Sequence, residues 1–196
     1  HPSHMKLPIT TVLLATLASA AWADTYNDSI TAIFGSGNPN TGWTSDSANG
    51  IELGLRAKNR TSGDTVNVNG VYSYATAPAP RGLWNYEFSI NSDTSGTSGR
   101  NLDYYDFYLA VDRDPTAGIL WSVVNPLSYW GDNSYGNNST ANGTGTEGTF
   151  AALGANNNVA QNSQNITFGD YPTFPQGGLT LAPNATYDYV LYAVEK

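Results

Sequence analysis

Alternating apolar and polar residues, many aromatic side chains with no cysteine, and a background of Asn, Gly, Ser and Thr predict an all-β chain. The expected form is an antiparallel β-sandwich, jelly-roll or immunoglobulin-like, preceded by a signal-peptide segment. In Ile51-Glu52-Leu53-Gly54-Leu55-Arg56-Ala57-Lys58 the odd positions are apolar and the even ones polar or small, the period of a half-buried antiparallel strand. Trp84, Tyr86, Phe88 and Ile90 repeat the pattern, with Asn85, Glu87 and Ser89 on the other face. The 13 Tyr, 5 Trp and 6 Phe supply the large side chains a core needs when no disulfide restrains the unfolded chain.

The elements follow in chain order. Residues 1–4, His1-Pro2-Ser3-His4, read as expression-vector residue. Residues 5–23 read as a signal peptide: Lys6, an apolar run over 9–21, and the small-x-small site Ala21-Trp22-Ala23, with cleavage expected before Asp24. The run is short and alanine-rich for a membrane span, which needs about 20 strongly apolar residues. The expectation is therefore an exported chain, secreted or at the cell surface, with no membrane span after cleavage. Residues 24–196 then form a single β domain, within the size range of one sandwich.

Strands are predicted near residues 29–34, 51–58, 65–74, 84–90, 105–111, 119–123, 146–152, 158–164, 166–168 and 187–194, and no amphipathic helix is visible after the signal. Thr61-Ser62-Gly63-Asp64 links two strands, and residues 91–100 read as a flexible Ser/Gly/Thr loop. Pro78-Ala79-Pro80 and Asp114-Pro115 are strand stops. The Asn/Gly/Ser tract over 131–145 reads as an exposed excursion. Residues 187–194 are apolar on both faces, as in a central strand. Such a strand needs a neighbour on each side, either a hairpin partner beyond Lys196 or another strand of the chain.

Composition excludes several chemistries. The 16 acidic and 8 basic residues leave a net charge of −8, so a nucleic acid partner, which needs clustered Lys and Arg, is not expected. Both histidines, His1 and His4, precede the signal, and with no cysteine the exported chain has neither imidazole nor thiol. Hydrolase schemes built on a histidine base or a zinc site are thereby excluded. Paired carboxylates remain open to it, with Glu52, Glu87 and Glu147 as the candidate glutamates of a glycosidase. Glu52 and Glu87 sit on the polar faces of their strands, which a solvated sheet face explains without catalysis.

Two residue sets suit binding. Asp106, Asp112, Asp114 and Asp132 offer the carboxylate oxygens that calcium prefers, though they also suit an acidic turn whose side chains cap backbone amides. Trp121, Trp130 and Tyr135, with Asn133, fall in or near predicted loops, where exposed aromatics can stack on sugar rings. Core packing is the competing fate for each aromatic, and Trp84 is assigned to the core by its strand parity.

The signal segment, the cysteine-free Asn/Gly/Ser/Thr-rich β body, the stretch Tyr104-Tyr105-Asp106-Phe107-Tyr108-Leu109-Ala110-Val111-Asp112 followed by Asp114-Pro115, and Asp132-Asn133-Ser134-Tyr135-Gly136-Asn137 together resemble exported bacterial proteins of the exosortase-sorted, PEP-CTERM class. The Pro-Glu-Pro sorting signal, membrane helix and basic tail of that class do not occur in these residues. The resemblance implies a non-catalytic surface or extracellular-matrix component associated with extracellular polysaccharide. A carbohydrate-binding module using loop aromatics is the alternative, and a carboxylate-based glycosidase the third reading. A matrix role also implies self-association through sheet edges.

Overall fold

The computed structural model describes residues 24–34, 39–75, 82–168 and 182–196. The signal segment and the Pro78-Ala79-Pro80 stop lie outside them. The strands are β1 (Thr25–Asp28), β2 (Trp43–Ala48), β3 (Ile51–Asn59), β4 (Asn67–Val68), β5 (Val71–Tyr72), β6 (Trp84–Asn91), β7 (Tyr105–Asp112), β8 (Trp121–Val124), β9 (Asn133–Gly136), β10 (Thr146–Gly148), β11 (Val159–Asn165) and β12 (Tyr189–Glu195). Seven of them pair in the order β1-β2-β3-β6-β11-β9-β10, three in the order β12-β7-β8, and β4 pairs with β5. The pairings are antiparallel, so the chain is mostly β as predicted.

The alternation in β3 and β6 sets the register. Leu53 lies opposite Ile90, Leu55 opposite Phe88 and Ala57 opposite Tyr86, so their apolar sides coincide across the pair. Phe107, Leu109 and Val111 of β7 and Tyr189, Leu191 and Ala193 of β12 join them in one buried apolar cluster. Tyr86 and Tyr189 meet with ring centroids 5.0 Å apart, which brings the larger and smaller sheets into contact.

Several expected elements differ. Residues 29–34 are not a strand, since pairing in this region is confined to β1. The expected strand over 65–74 is a two-residue hairpin, turned by Asn69 and Gly70 at φ 52° and 78°, the left-handed conformation a tight hairpin demands. After β10 the chain forms a one-turn helix, α2 (Phe150–Leu153), and residues 166–168 are a turn. A second single turn, α1 (Pro126–Tyr129), starts where proline is tolerated, and Asn125 caps it by accepting from the Leu127 N–H at 3.0 Å. The tract 131–145 is not one exposed excursion, because β9 lies in it. The terminal strand β12 stands at a sheet edge, paired only with β7 among the described residues.

The loop over 91–100 is organised rather than slack. Asp93 Oδ1 accepts from Ser95 Oγ at 2.6 Å and the Gly96 N–H at 3.1 Å, while Oδ2 accepts from the Ser98 and Gly99 N–H groups at 2.8 and 3.2 Å. Asn138 and Asn158 both donate to the Asp93 carbonyl at 2.9 Å, fastening the loop to β11 and to the Asn-rich tract.

Candidate functional site

The polar face of the larger sheet is not solvated where β3 and β6 form it, which corrects the expectation for Glu52 and Glu87. Both are buried, as are Arg56 and Lys58. Arg56 Nε donates to Glu87 Oε2 and Lys58 Nζ meets Glu87 Oε1, each at 2.6 Å. Arg56 Nη1 reaches the carbonyls of Pro39 and Thr41, both at 2.8 Å, and its guanidinium lies 4.2 Å from the Trp43 ring centre.

Residues 29–34 form a strap across this face. Glu52 accepts from the Thr31 N–H and Oγ1, both at 2.9 Å. Burial raises the Glu52 carboxyl, and those Thr31 bonds oppose the rise. Gln161 Nε2 donates to the Ala32 carbonyl at 2.6 Å and its Oε1 accepts from the Phe34 N–H at 3.0 Å. Gly54 makes room below, since a Cβ there would lie 3.1 Å from both Ile30 Cγ2 and Trp43 Cε3.

Register places Ser45, Gly54, Ser89, Gln161, Ser134 and Glu147 in one row across six strands. At the Gln161, Ser134 and Glu147 end of that row lies a cleft of about 280 Å³, lined among others by Trp43, Glu87, Asp132 and Asn162. Asp132 Oδ1 accepts from Asn162 Nδ2 at 3.0 Å and lies 3.5 Å from Gln164 Nε2. The Trp43 indole N–H is buried and meets no acceptor among the described residues. The walls thus present the Asp132 and Glu147 carboxylates and the Ser134 hydroxyl, a set that suits the hydroxyl groups of a polar ligand, while the Gln161 and Asn162 amide donors are held by Ala32, Ser89, Asp132 and Asn133.

The residues expected to bind sugar are not brought together. Trp130 is 3 % exposed and packs on Tyr86 and Phe88 at ring distances of 6.3 and 6.0 Å. Tyr135 is also buried, and its hydroxyl donates to the Leu127 carbonyl at 3.3 Å. The buried Asn133 side chain lies 3.1–3.2 Å from the carbonyls of Pro126, Leu127 and Trp130, satisfying the end of α1. These three hold the core; only Trp121 is exposed, on the smaller sheet.

The four aspartates are dispersed as well. Asp106 and Asp112 stand at opposite ends of β7, six residues or about 20 Å apart at the rise of a strand, too far to share one ion. Asp112 Oδ1 instead accepts from the Asp114 and Leu120 N–H groups at 2.9 and 2.8 Å, the capping role weighed for this turn. Thr116 side-chain and backbone bonds hold the Asp114 carboxyl low. Asp106 meets Lys196 at 3.5 Å, and Asp132 belongs to the cleft on the other sheet. Among the described residues, no three acidic, His or Cys side chains are grouped to hold a metal. Burial, and then the nearby Asp112 charge, push the Asp188 carboxyl up to about 6.

No family model, curated protein or solved structure matches this chain. Among the described residues, no helix is long and apolar enough to cross a membrane.

Proposed function

We propose that this chain is an exported, non-catalytic component of the bacterial cell surface or extracellular matrix, a β-sandwich that holds extracellular polysaccharide in the cleft between Trp43 and Glu147. The observation that carries this reading is the gathering of Asp132, Ser134, Glu147 and Asn162 around one concave wall of the larger sheet. Carboxylate and hydroxyl oxygens converge there to accept from a sugar's hydroxyl groups. The carboxylates favour neutral or amino-bearing sugars over uronates, which like charge would repel.

A glycosidase is the competing reading, because Glu87 and Glu147 line the same cleft. Glu87 is poorly suited to it: both its oxygens are committed to the buried Arg56 and Lys58 side chains and so turned to structural use. The two readings separate experimentally. Polysaccharides retained by the full chain in a co-sedimentation assay are assayed for new reducing ends. Retention without cleavage supports the binding role; cleavage abolished by Glu147→Gln would replace it with the enzyme. A module working through loop aromatics would require Trp121, away from the cleft, to carry the binding.

A further inference from the structure

We propose that the protein assembles by antiparallel pairing of β8 with β8 of a second copy. Sheet edges carry unpaired N–H and C=O groups, and proteins blunt them with charges, bulges or brevity. Both edges of the larger sheet are blunted so. The ladder of β1 is bulged between Tyr26 and Asp28, with Asn27 at φ 57°. Edge strand β10 has three residues with Glu147 at its centre. Edge strand β12 of the smaller sheet carries a charge only at Glu195, which accepts from the Tyr104 hydroxyl at 2.8 Å, but its side chains from Tyr189 to Ala193 are buried or half-buried.

The β8 edge, four residues long, carries neither charge nor bulge, and its Trp121 and Val123 side chains are exposed. Among the described residues it pairs only with β7, and residues 115–131 carry no charged side chain. Ile119, Leu120, Trp121 and Val123 are 55 %, 52 %, 39 % and 46 % exposed. In a chain of net charge −8, this uncharged apolar stretch is where two copies meet without opposing like charges.

Backbone phase fixes the register. The Arg113 N–H donates to the Leu120 carbonyl at 3.0 Å, and the Leu120 N–H donates to Asp112 Oδ1, so Leu120 turns its peptide groups toward β7. Alternation then turns those of Ser122 inward and those of Trp121 and Val123 toward the free edge. A two-fold axis at Ser122 sets Trp121 opposite Val123 of the second copy, and the reverse. Two hydrogen-bonded pairs and two aromatic–β-branched contacts result. The proposal deepens the structural role above by naming the partner, and its test leaves glycan binding untouched, so either can fail alone.

Sedimentation velocity of the full chain across a concentration series is expected to show a monomer–dimer equilibrium. Val123→Lys, at an exposed position, should raise the dissociation constant by at least about tenfold with an unchanged melting curve. A monomer at every concentration, or association indifferent to Val123→Lys, overturns the proposal. The absence of native cysteine gives a second measurement. Mixed Trp121→Cys and Val123→Cys chains should form a disulfide dimer on oxidation, because a hydrogen-bonded pair sits about 5.5 Å apart at Cα, within disulfide reach. Either variant oxidised alone should not, and equal cross-linking in the unmixed samples overturns the register.

Discussion

Arg56 and Glu87 face each other across β3 and β6 with Nε and Oε2 2.6 Å apart, both buried on the side of the sheet away from the main core. Removing one member of such a pair strands a buried charge, at a cost of about 3–5 kcal/mol. Glu87→Gln removes the carboxylate that Arg56 and Lys58 share. Urea unfolding of Glu87→Gln is expected to show a loss of that size, with part of it recovered in Arg56→Met/Glu87→Gln. A loss below about 1 kcal/mol, the scale of an exposed pair, would show that this face is wet.

The close approach over Gly54 gives a packing test. Substitution to Val places methyl groups against Ile30 and Trp43, where even a Cβ is crowded at 3.1 Å. Overpacking of this kind costs about 1–3 kcal/mol. Thermal unfolding is expected to register that cost together with a shift in tryptophan emission, as Trp43 is displaced. Wild-type stability with unchanged emission would mean the strap does not press on the sheet.

Stability should vary with pH in a direction set by Asp188. An acid whose pKa is raised on folding favours the folded state while protonated. The Asp188 contribution is therefore complete below the unfolded carboxylate value near 3.9 and is lost as pH rises to about 6. Burial raises Glu52 and Asp46 in the same sense. The melting temperature is expected to rise as pH is lowered from 7 to 5, and Asp188→Asn to raise it at pH 7 and flatten the profile. A wild-type profile flat over that range would contradict the burial of these carboxyls.

Asp93 works in the opposite sense. Burial acts to raise its carboxyl, but hydrogen bonds from Ser95, Ser98 and Gly99 outweigh it and hold the group low. Its contribution is present above about pH 4 and is lost as pH falls further. Asp93→Ala is expected to speed amide exchange at Gly96, Ser98 and Gly99 well beyond any change in the core strands. Uniform exchange across the molecule would mean the loop is not held by this carboxylate.

The strands that alternate were legible because period two fixes which side chains share a face, as Leu53, Leu55, Phe88 and Ile90 do. What covers the second face was not, because the strap at Thr31–Phe34 and the Trp43 ring reach it from outside β3 and β6. Trp130 and Tyr135 could be read as exposed or as core beside Gly131, Asp132 and Gly136, since sequence does not show that the Asn133 amide satisfies the local carbonyls and lets both rings be buried. Asp106 and Asp112 looked clustered in the chain, and an extended strand pulls them apart. Glu87, Asp132 and Glu147 meet only through a register that runs from β6 through β11 and β9 to β10.

A glycan-array screen of the full chain beside Asp132→Asn/Glu147→Gln tests the cleft most directly. Selective retention of neutral or amino-bearing glycans, weakened at least about tenfold in the double variant with its melting temperature unchanged, is the expected result. Absence of any retained glycan, or binding that survives both substitutions, would contradict the assignment of polysaccharide to this cleft.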